Sequence, residues 1–171
     1  MSALTLRLAR REEIPTIVAM LADDGIGNSR EAASDPLPQS YYDAFDEMAK
    51  DPNNRLLVAQ QDGKIVGTLQ ITFIRGLSRQ GAKRAQIEAV RVASGHRGKG
   101  LGREIFLRAI ELARSEGCSL VQLTTDKKRA DAHRFYQSLG FRQHGISFSI
   151  DVSERRDAAV RTAQTLIPIP D

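Results

Sequence analysis

The chain is poor in the residues that cross-link a fold or hold a metal: its 171 residues include one cysteine and three histidines. The lone Cys118 excludes an intrachain disulfide, and we expect the chain to work in the reducing cytoplasm. No two of His96, His133 and His144 lie three or four residues apart, as two ligands on one helix would. We therefore predict no bound metal. His96 is interpreted either as a solvated loop residue or as a phosphate contact.

Long apolar runs are also missing. No run approaches the roughly 18 residues that a membrane-spanning helix needs, and charged residues from Arg7 onward interrupt the N-terminus, where a signal peptide would be apolar. We therefore expect no membrane partner. The length suits one domain rather than two. The predicted domain covers residues 1–152, and residues 153–171 form an extension that is either a helix or a flexible tail.

Positive charge is in slight excess and is unevenly spread. The 25 basic and 21 acidic side chains give a net charge of +4, which makes a nucleic-acid partner worth considering. However, the basic residues cluster around a glycine-rich stretch and at residues 127–129, while the region before Asn54 is rich in acids. This distribution suits a small polyanion better than a duplex, so we predict no nucleic-acid partner.

The most informative stretch is residues 86–102, which read QIEAVRVASGHRGKGLG. It begins within a predicted strand over 85–92, where strict alternation places Ile87, Ala89 and Arg91 on one face and Glu88 and Val90 on the other. Four glycines follow within eight positions, and apolar residues then recur at helical spacing. A glycine turn that leads into a helix N-terminus exposes backbone N–H groups to an anion. A pyrophosphate would fit there.

Basic side chains strengthen this interpretation, since Arg97, Lys99 and Arg103 surround the same turn. The alternative is a glycine-rich connection whose basic residues are merely solvated. Two better-known phosphate loops are excluded. A P-loop requires Ser or Thr where Gly100 follows Lys99, and the dinucleotide-binding fingerprint opens a parallel fold, whereas this turn lies past mid-chain.

The turn resembles the acetyl-CoA-binding signature of the GNAT N-acetyltransferases: Arg or Gln, two residues, Gly, one residue, then Gly or Ala. Arg97, Gly100 and Gly102 match it. A second block, residues 132–141, also matches the superfamily. Residues 124–136, TTDKKRADAHRFY, look particularly like aminoalkylphosphonate N-acetyltransferases. The resemblance covers roughly residues 4–152.

The remaining pattern agrees with the α/β (α+β) fold that this resemblance implies. Strands are predicted at about 4–7, 55–60, 64–75, 85–92, 119–125, 141–142 and 146–152, and helices at about 12–22, 39–50, 101–116 and 130–139. Asp62-Gly63 between two β-rich runs predicts a hairpin. A helix between the strands at 85–92 and 119–125 predicts that these two are parallel. We therefore expect a mixed, mainly antiparallel sheet flanked by helices, with one parallel pair that splays, as in GNAT folds, around the pantetheine arm.

The resemblance implies acetyl transfer from acetyl-CoA to a primary amine of a small molecule, by direct attack in a ternary complex. An alkyl amine has a pKa near 10.4, so a base must remove its proton. Glu88 is the candidate base, although it could instead pair with Arg84 or Arg91. Tyr136 is the candidate acid that protonates the departing thiolate, although its spacing with Phe135 also suits a core position.

Contacts with the cofactor follow from the same resemblance. The backbone N–H groups around Val90 and Val92 would polarise the thioester carbonyl. Asp126 departs from the asparagine that is frequent at its position in the family. The expected cofactor-binding residues are Val90, Arg91, Val92, Arg97, Gly98, Lys99, Gly100, Leu101, Gly102, Arg103, Asp126 and Tyr136.

The acceptor is the least determined part of this prediction. In GNAT enzymes its specificity comes mainly from the first two helices and their loop, here residues 22–50, where acids outnumber bases. We hypothesise a small cationic amine. Two alternatives stay open: an acetyl-CoA-binding sensor or partner module without turnover, and a protein or peptide N-acetyltransferase. A homodimer is possible, since dimers are common among such enzymes.

Overall fold

The computed structural model describes residues 3–23, 30–143 and 145. Five strands form one sheet, with neighbours in the order of the sequence. The first four pair antiparallel, and the last two pair parallel. The strands are β1 Thr5–Leu8, β2 Asn54–Gln61, β3 Lys64–Arg75, β4 Lys83–Val92 and β5 Cys118–Leu123. This mixed, mainly antiparallel sheet confirms the predicted fold class.

In the described part of the chain, four helices of nine or more residues flank the sheet, besides a four-residue turn at Ser78–Gly81. They are α1 Ile14–Ala22, α2 Gln39–Met48, α3 Leu101–Ser115 and α4 Ala130–Ser138. A 3-10 turn at Arg11–Glu13 leads into α1, which has a proline in its first turn, where a missing N–H costs least. The predicted hairpin joins β2 and β3, with positive φ at both Asp62 and Gly63, as a two-residue turn requires.

The core lies on both faces of the sheet. On one face, α3 buries the stripe Leu101, Ile105, Phe106, Ala109 and Ala113 against inward side chains of β2, β3 and β4. On the other face, a smaller cluster joins α1 to β2. Since fully burying an aliphatic side chain is worth about 1.5–3 kcal/mol, the α3 face supplies most of the hydrophobic stabilisation.

A β-bulge in β4 corrects the predicted alternation. Thr68 pairs with Arg91 and Gln70 pairs with Glu88, so two β4 residues, Ala89 and Val90, lie opposite one residue of β3. Ala89 lies at this bulge and has a φ of +53°. The side-chain pattern therefore changes phase at the bulge. The prediction that Glu88 and Val90 share a face is wrong.

The phase change sends these two side chains to opposite sides of the sheet. Ala85 and Ile87, before the bulge, and Val90 and Val92, after it, all pack on the α3 side. Glu88 is exposed, and its cross-strand partner Gln70 faces α1 and α2. Cross-strand partners share a face, so Glu88 lies on the α1–α2 side.

The parallel pair is closed at one end and open at the other. Its pairing begins at Lys83 with Cys118 and stops at Ile87 with Leu123, although β4 continues to Val92. At the closed end, the Lys83 Nζ donates to the Glu116 carbonyl at 3.1 Å and lies 4.8 Å from the centroid of the Phe73 ring. Beyond Ile87, β4 has no pairing with the chain that follows β5. This agrees with the expected splay of the two strands.

The end of the described chain departs from the prediction. Residues 141–143 form no strand, and Phe141 instead donates its N–H to the Tyr136 carbonyl at 3.0 Å, next to the end of α4. The predicted strand at 146–152 and the extension at 153–171 lie outside the described residues. Among the residues that the structure describes, no helix combines the length and the apolar character needed to cross a membrane.

Candidate active site

A cleft of about 760 Å³ opens where β4 and β5 diverge. We call it the splay cleft. Its walls are residues 87–92 of β4, residues 123–126 at the end of β5, and side chains from α3, α4 and the segment before α2. The predicted site residues that line it are Glu88, Val90, Arg91, Val92, Arg97, Gly102, Asp126 and Tyr136. The fold therefore brings both predicted blocks of sequence to one space.

The glycine turn has the geometry of an anion site. Gly98 and Gly100 have φ of +74° and +80°, values that a residue with a Cβ adopts only with strain. The first bond of α3 runs from the Glu104 N–H to the Gly100 carbonyl. The N–H groups of Leu101, Gly102 and Arg103 therefore precede the helical ladder and point out of its N-terminus.

Arg97, the first residue of the signature, braces the turn. Its Nε donates to the Val92 carbonyl at 3.0 Å. Its Nη2 donates to the Asp23 carbonyl at 2.7 Å and to the Asp23 carboxylate at 3.0 Å. This guanidinium therefore links the glycine turn to the end of α1. Arg97 also lines the splay cleft.

Other predicted cofactor residues lie outside the cleft wall: Gly98, Lys99, Gly100, Leu101 and Arg103. The Lys99 Nζ donates to the Gly95 carbonyl at 2.9 Å, and the Arg103 Nη1 donates to the Ser138 carbonyl at 3.3 Å. The Leu101 side chain is 8% exposed and belongs to the core. At Leu101 only the backbone N–H is therefore available to a phosphate.

The splay cleft also has lining residues that the sequence did not single out, among them Arg30 and Thr125, and it includes Arg129 from the basic cluster at residues 127–129. The Thr125 Oγ1 is buried and has no hydrogen-bond partner among the described residues. An orphan hydroxyl of this kind costs free energy unless a ligand or water satisfies it. Thr125 lies within the matching stretch 124–136, just before Asp126, so its position after a strand was the available signal.

Asp126 forms part of a tight turn rather than a free carboxylate. Its Oδ1 accepts the Lys128 N–H at 2.8 Å, and its carbonyl accepts the Arg129 N–H at 3.1 Å. This Asx turn starts the loop into α4. It holds the basic residues 127–129 at the end of β5, and Arg129 lines the cleft.

Glu88 lies on the wall of the splay cleft with its side chain exposed. Among the residues described, its carboxylate makes no hydrogen bond or ion pair, so the pairing with Arg84 or Arg91 that the sequence left open does not form. Arg91 instead donates from its Nη1 to the Val90 carbonyl at 2.9 Å. The Glu88 carboxylate is therefore available to an incoming amine.

Tyr136 lies in an aromatic cluster on the α4 side of the cleft. Its ring meets Phe106, Phe135 and Phe141 edge to face, with centroids 5.5, 5.5 and 6.1 Å away. Burial raises the pKa of its phenol, and the nearby Arg129 and Arg91 offset part of that shift. The phenol is therefore protonated at neutral pH, as a proton donor must be.

A second, smaller space of about 110 Å³ lies on the opposite face of the sheet, between α1, α2 and the strands. We call it the apolar pocket. Ala89, the residue at the bulge, lines both spaces, and Gln70, the partner of Glu88, lines the apolar pocket. Glu88 itself therefore lines the splay cleft, and its immediate neighbours line the apolar pocket.

The acids of the first two helices and their loop are used locally. Asp23 pairs with Arg97, and Asp46 pairs with Arg11 at 3.1 Å. Glu31 accepts the Tyr41 hydroxyl at 2.8 Å. None of these acids lines the apolar pocket. In residues 3–23, 30–143 and 145, no three His, Cys, Asp or Glu side chains are grouped as a metal site.

Comparisons with known proteins agree with this arrangement. The pattern of the acetyltransferase (GNAT) family matches residues 24–141. The chain is similar to an aminoalkylphosphonate N-acetyltransferase from Salmonella typhimurium, with 32% identity over 65% of this chain and 71% of the other. It is also similar to a glucosamine 6-phosphate N-acetyltransferase from Trypanosoma brucei brucei, with 34% identity over 54% of this chain and 61% of the other.

Among solved structures, a protein from Bacillus halodurans C-125 named as a transcriptional regulator is similar over its whole length. It is 47% identical, with a TM-score of 0.81, and the match covers 86% of this chain and 100% of that one. The similarity therefore extends well beyond the glycine turn.

Proposed function

The chain belongs to the GNAT acetyltransferase family, and we propose that it transfers the acetyl group of acetyl-CoA to a primary amine of a small molecule. One observation carries this proposal: the exposed Glu88 carboxylate lines the splay cleft, while its chain neighbour Ala89 and its cross-strand partner Gln70 line the apolar pocket. An amine whose body lies in the pocket would therefore place its nitrogen near a base and a thioester.

The residues present fit the coenzyme. The N-terminus of α3, entered through left-handed Gly98 and Gly100, suits a pyrophosphate. Arg129 and Arg30 add positive charge to the same cleft. The buried Thr125 hydroxyl, which lacks a partner among the described residues, suits a pantetheine amide. When bound, acetyl-CoA supplies an activated thioester.

The chain's own groups would manage the protons. Glu88 takes the proton from the ammonium, directly or through a water, and leaves a neutral nucleophile. The bound coenzyme would supply a thioester whose carbon–sulfur bond breaks as the amine nitrogen bonds to the acetyl carbon, and the second proton of that nitrogen would pass to solvent. Tyr136 gives its phenolic proton to the departing thiolate and regains one from solvent. The edge of β4 beyond Ile87, where β5 no longer pairs, offers N–H groups around Val90 and Val92 to the carbonyl oxygen.

The test is thiol release from acetyl-CoA with a panel of small amines, using wild type beside Glu88→Gln and Tyr136→Phe. We expect release above background with at least one acceptor class, and slower release in both variants. Tight acetyl-CoA binding without release from any acceptor would contradict turnover. The absence of coenzyme binding would contradict the whole assignment.

A second candidate is a coenzyme-binding regulator without turnover, because one solved relative is named as a transcriptional regulator. It predicts that Glu88→Gln leaves every measured property unchanged. It also predicts a partner whose binding changes when acetyl-CoA is added. A labelled-duplex titration at two salt concentrations would detect a nucleic-acid partner, since such binding weakens steeply with salt. The cytoplasmic location and the homodimer stay predictions.

A further inference from the structure

We propose that the amine acceptor carries a compact apolar substituent, which the apolar pocket binds. This inference rests on the proposed function, since it names the acceptor of that same reaction. Four features support it: the apolar wall of the pocket, the hydrogen bonds that its polar side chains already make, its volume and its position next to Glu88.

The wall of the apolar pocket is mostly hydrocarbon. One side of α1 contributes Ile17 and Val18, which are 3% and 2% exposed, and α2 contributes Phe45 and Met48. Among the residues that the structure describes, no lysine, arginine or histidine lines this pocket. An apolar group that enters this space leaves water and meets carbon on several sides, which favours binding.

The polar atoms in the wall already have partners. The Thr68 hydroxyl donates to the Leu57 carbonyl at 2.9 Å, and the Gln70 amide donates to the Asn54 side-chain oxygen at 2.9 Å. The Tyr41 hydroxyl donates to Glu31 and accepts the Ala32 N–H at 2.9 Å. A phosphonate or sugar phosphate placed here would lose its hydration and find no cation, which is costly.

The size of the pocket limits the substituent. Its volume is about 110 Å³. A cavity of about 150 Å³ takes up benzene, and a water-sized atom group fills about 30 Å³ of liquid. The space therefore suits about four heavy atoms, such as a propyl to isopentyl chain. The acceptor's only charge is then the ammonium, and Glu88 is the neighbour of Ala89 and the cross-strand partner of Gln70 in the pocket wall. The cationic amine expected from the sequence therefore becomes a cationic amine with an apolar body.

The competing acceptor is an anionic amine held in the splay cleft. Arg30 lines that cleft and lies just before α2, where it could pair with a phosphonate. The relatives named for phosphonate and sugar-phosphate acceptors make this the natural rival. The two acceptors differ in charge and in the face of the sheet that they contact, so one assay separates them.

The experiment compares methylamine, propylamine, isobutylamine, isopentylamine and octylamine with aminomethyl- and 2-aminoethylphosphonate, at saturating acetyl-CoA, by thiol release. We expect kcat/KM to rise about fourfold per methylene up to isobutylamine or isopentylamine, and to fall for octylamine. Both phosphonates should react more slowly than isobutylamine. A flat alkylamine series, or faster phosphonates that lose activity in Arg30→Gln, would overturn this inference and leave the proposed function standing.

Variants of α2 locate the effect. Ala44 lines the pocket from the exposed surface of α2, and Ala44→Leu should lower kcat/KM for isopentylamine at least tenfold and move the optimum to a shorter amine. Met48→Ala, which enlarges the pocket, should move the optimum to a longer amine. The matched control is Ala49→Leu, the same substitution at the end of α2 outside the wall, which should leave the series unchanged.

Two controls make the result interpretable. The melting temperature and the Kd for acetyl-CoA of each variant should match wild type, which shows that the fold and the splay cleft are intact. An unchanged optimum in both Ala44→Leu and Met48→Ala would overturn the inference. If no amine of either class releases thiol although acetyl-CoA binds, the proposed function fails first.

Discussion

The splay cleft and the apolar pocket lie on either side of β4, and they are built in different ways. The splay cleft takes most of its wall from residues 87–102 and 123–136, so nearly all of it lies in two short blocks of sequence. The apolar pocket takes its wall from α1, α2 and three strands, scattered from Ile14 to Ala89. A site made of contiguous residues leaves a readable pattern, whereas a site assembled from helix and strand faces does not.

Their chemistry differs as much as their construction. The splay cleft is lined by four arginines, Arg30, Arg91, Arg97 and Arg129, and adjoins a helix N-terminus. No basic side chain of the described residues lies in the wall of the apolar pocket. Under the proposed function, phosphates and an apolar amine body would therefore bind in different spaces. Within the described part of the chain, Ala89, at the bulge, is the only residue that lines both.

The largest expected effect comes from Glu88. Glu88→Gln should lower kcat about 10³-fold for every accepted amine, which corresponds to about 4 kcal/mol, because it removes the carboxylate that we propose as the base. The Kd for acetyl-CoA, measured by calorimetry, should not change. If kcat fell for one amine only, Glu88 would act in binding that amine and not as the base. The expected contrast between the splay cleft and the apolar pocket would then not hold.

The next effect belongs to the splay cleft. Tyr136→Phe should lower kcat about 10²-fold and leave the order of preference among amines unchanged. Because burial raises the pKa of this phenol, the alkaline fall in wild-type kcat that reports its ionisation should lie above the ordinary value of about 10. The pH profile of the phenylalanine variant should lack that step. If the step persists in the variant, the phenol does not supply the proton.

A third prediction concerns the packing under the bulge. A Cβ added at Gly67 would lie 2.7 Å from the Ile105 Cδ1 and 2.8 Å from the Arg91 carbonyl. Gly67→Ala should therefore lower the free energy of unfolding by about 2 kcal/mol. It should weaken acetyl-CoA binding more than amine binding, because both contacts are on the splay-cleft side.

The matched control for this prediction is Gly95→Ala. No atom lies within 4 Å of a Cβ placed there, and this glycine does not need a positive φ. Its free energy of unfolding, from urea titration, should stay within about 0.5 kcal/mol of wild type. Equal losses in the two variants would show that the close approach at Gly67 relaxes without cost.

The smallest expected effect is a loss of stability from a substitution just before α1, the helix that forms one wall of the apolar pocket. The Arg7 guanidinium makes two bonds to Glu13, at 2.6 and 2.9 Å, and this pairing lowers the pKa of the Glu13 carboxyl. The stabilisation is complete above the ordinary glutamate pKa of about 4.3 and is lost as the pH falls through the lower folded value. Glu13→Gln should cost about 1.5 kcal/mol at pH 7.

The pH dependence distinguishes this pair from a merely packed one. In urea titrations, the difference between wild type and Glu13→Gln should shrink as the pH falls below 4. The KM for alkylamines should rise more than the KM for acetyl-CoA, because α1 forms a wall of the apolar pocket. A difference in stability that does not depend on pH would show that the ion pair is not its cause.

Much of this protein was predictable from local sequence. The Asp62-Gly63 hairpin, the apolar stripe of α3 and the parallel pairing of β4 with β5 follow from turn chemistry, helical period and connection length, and all three are found. The recognition of the superfamily and of its enzyme class, an acetyltransferase, is confirmed by the family match over residues 24–141. These features depend on neighbours in the chain.

Other features needed the folded chain. The bulge at Ala89 arises from the register between β3 and β4, and alternation within one strand cannot reveal it. The Arg97 brace to Asp23 joins residues 74 positions apart. Thr125 and Arg129 lie in the matching stretch 124–136, but their place in the splay cleft depends on where β5 stops pairing with β4.

The sequence by itself determined the glycine turn at the start of α3, because a glycine's freedom and a helix N-terminus are local properties of the chain. Only the tertiary structure decided that Glu88 and Val90 lie on opposite faces. A one-residue change of phase in β4, after Glu88, separates two side chains that strict alternation would place together. The apolar pocket depends on helices, strands and that bulge together, so its shape emerges only when they pack.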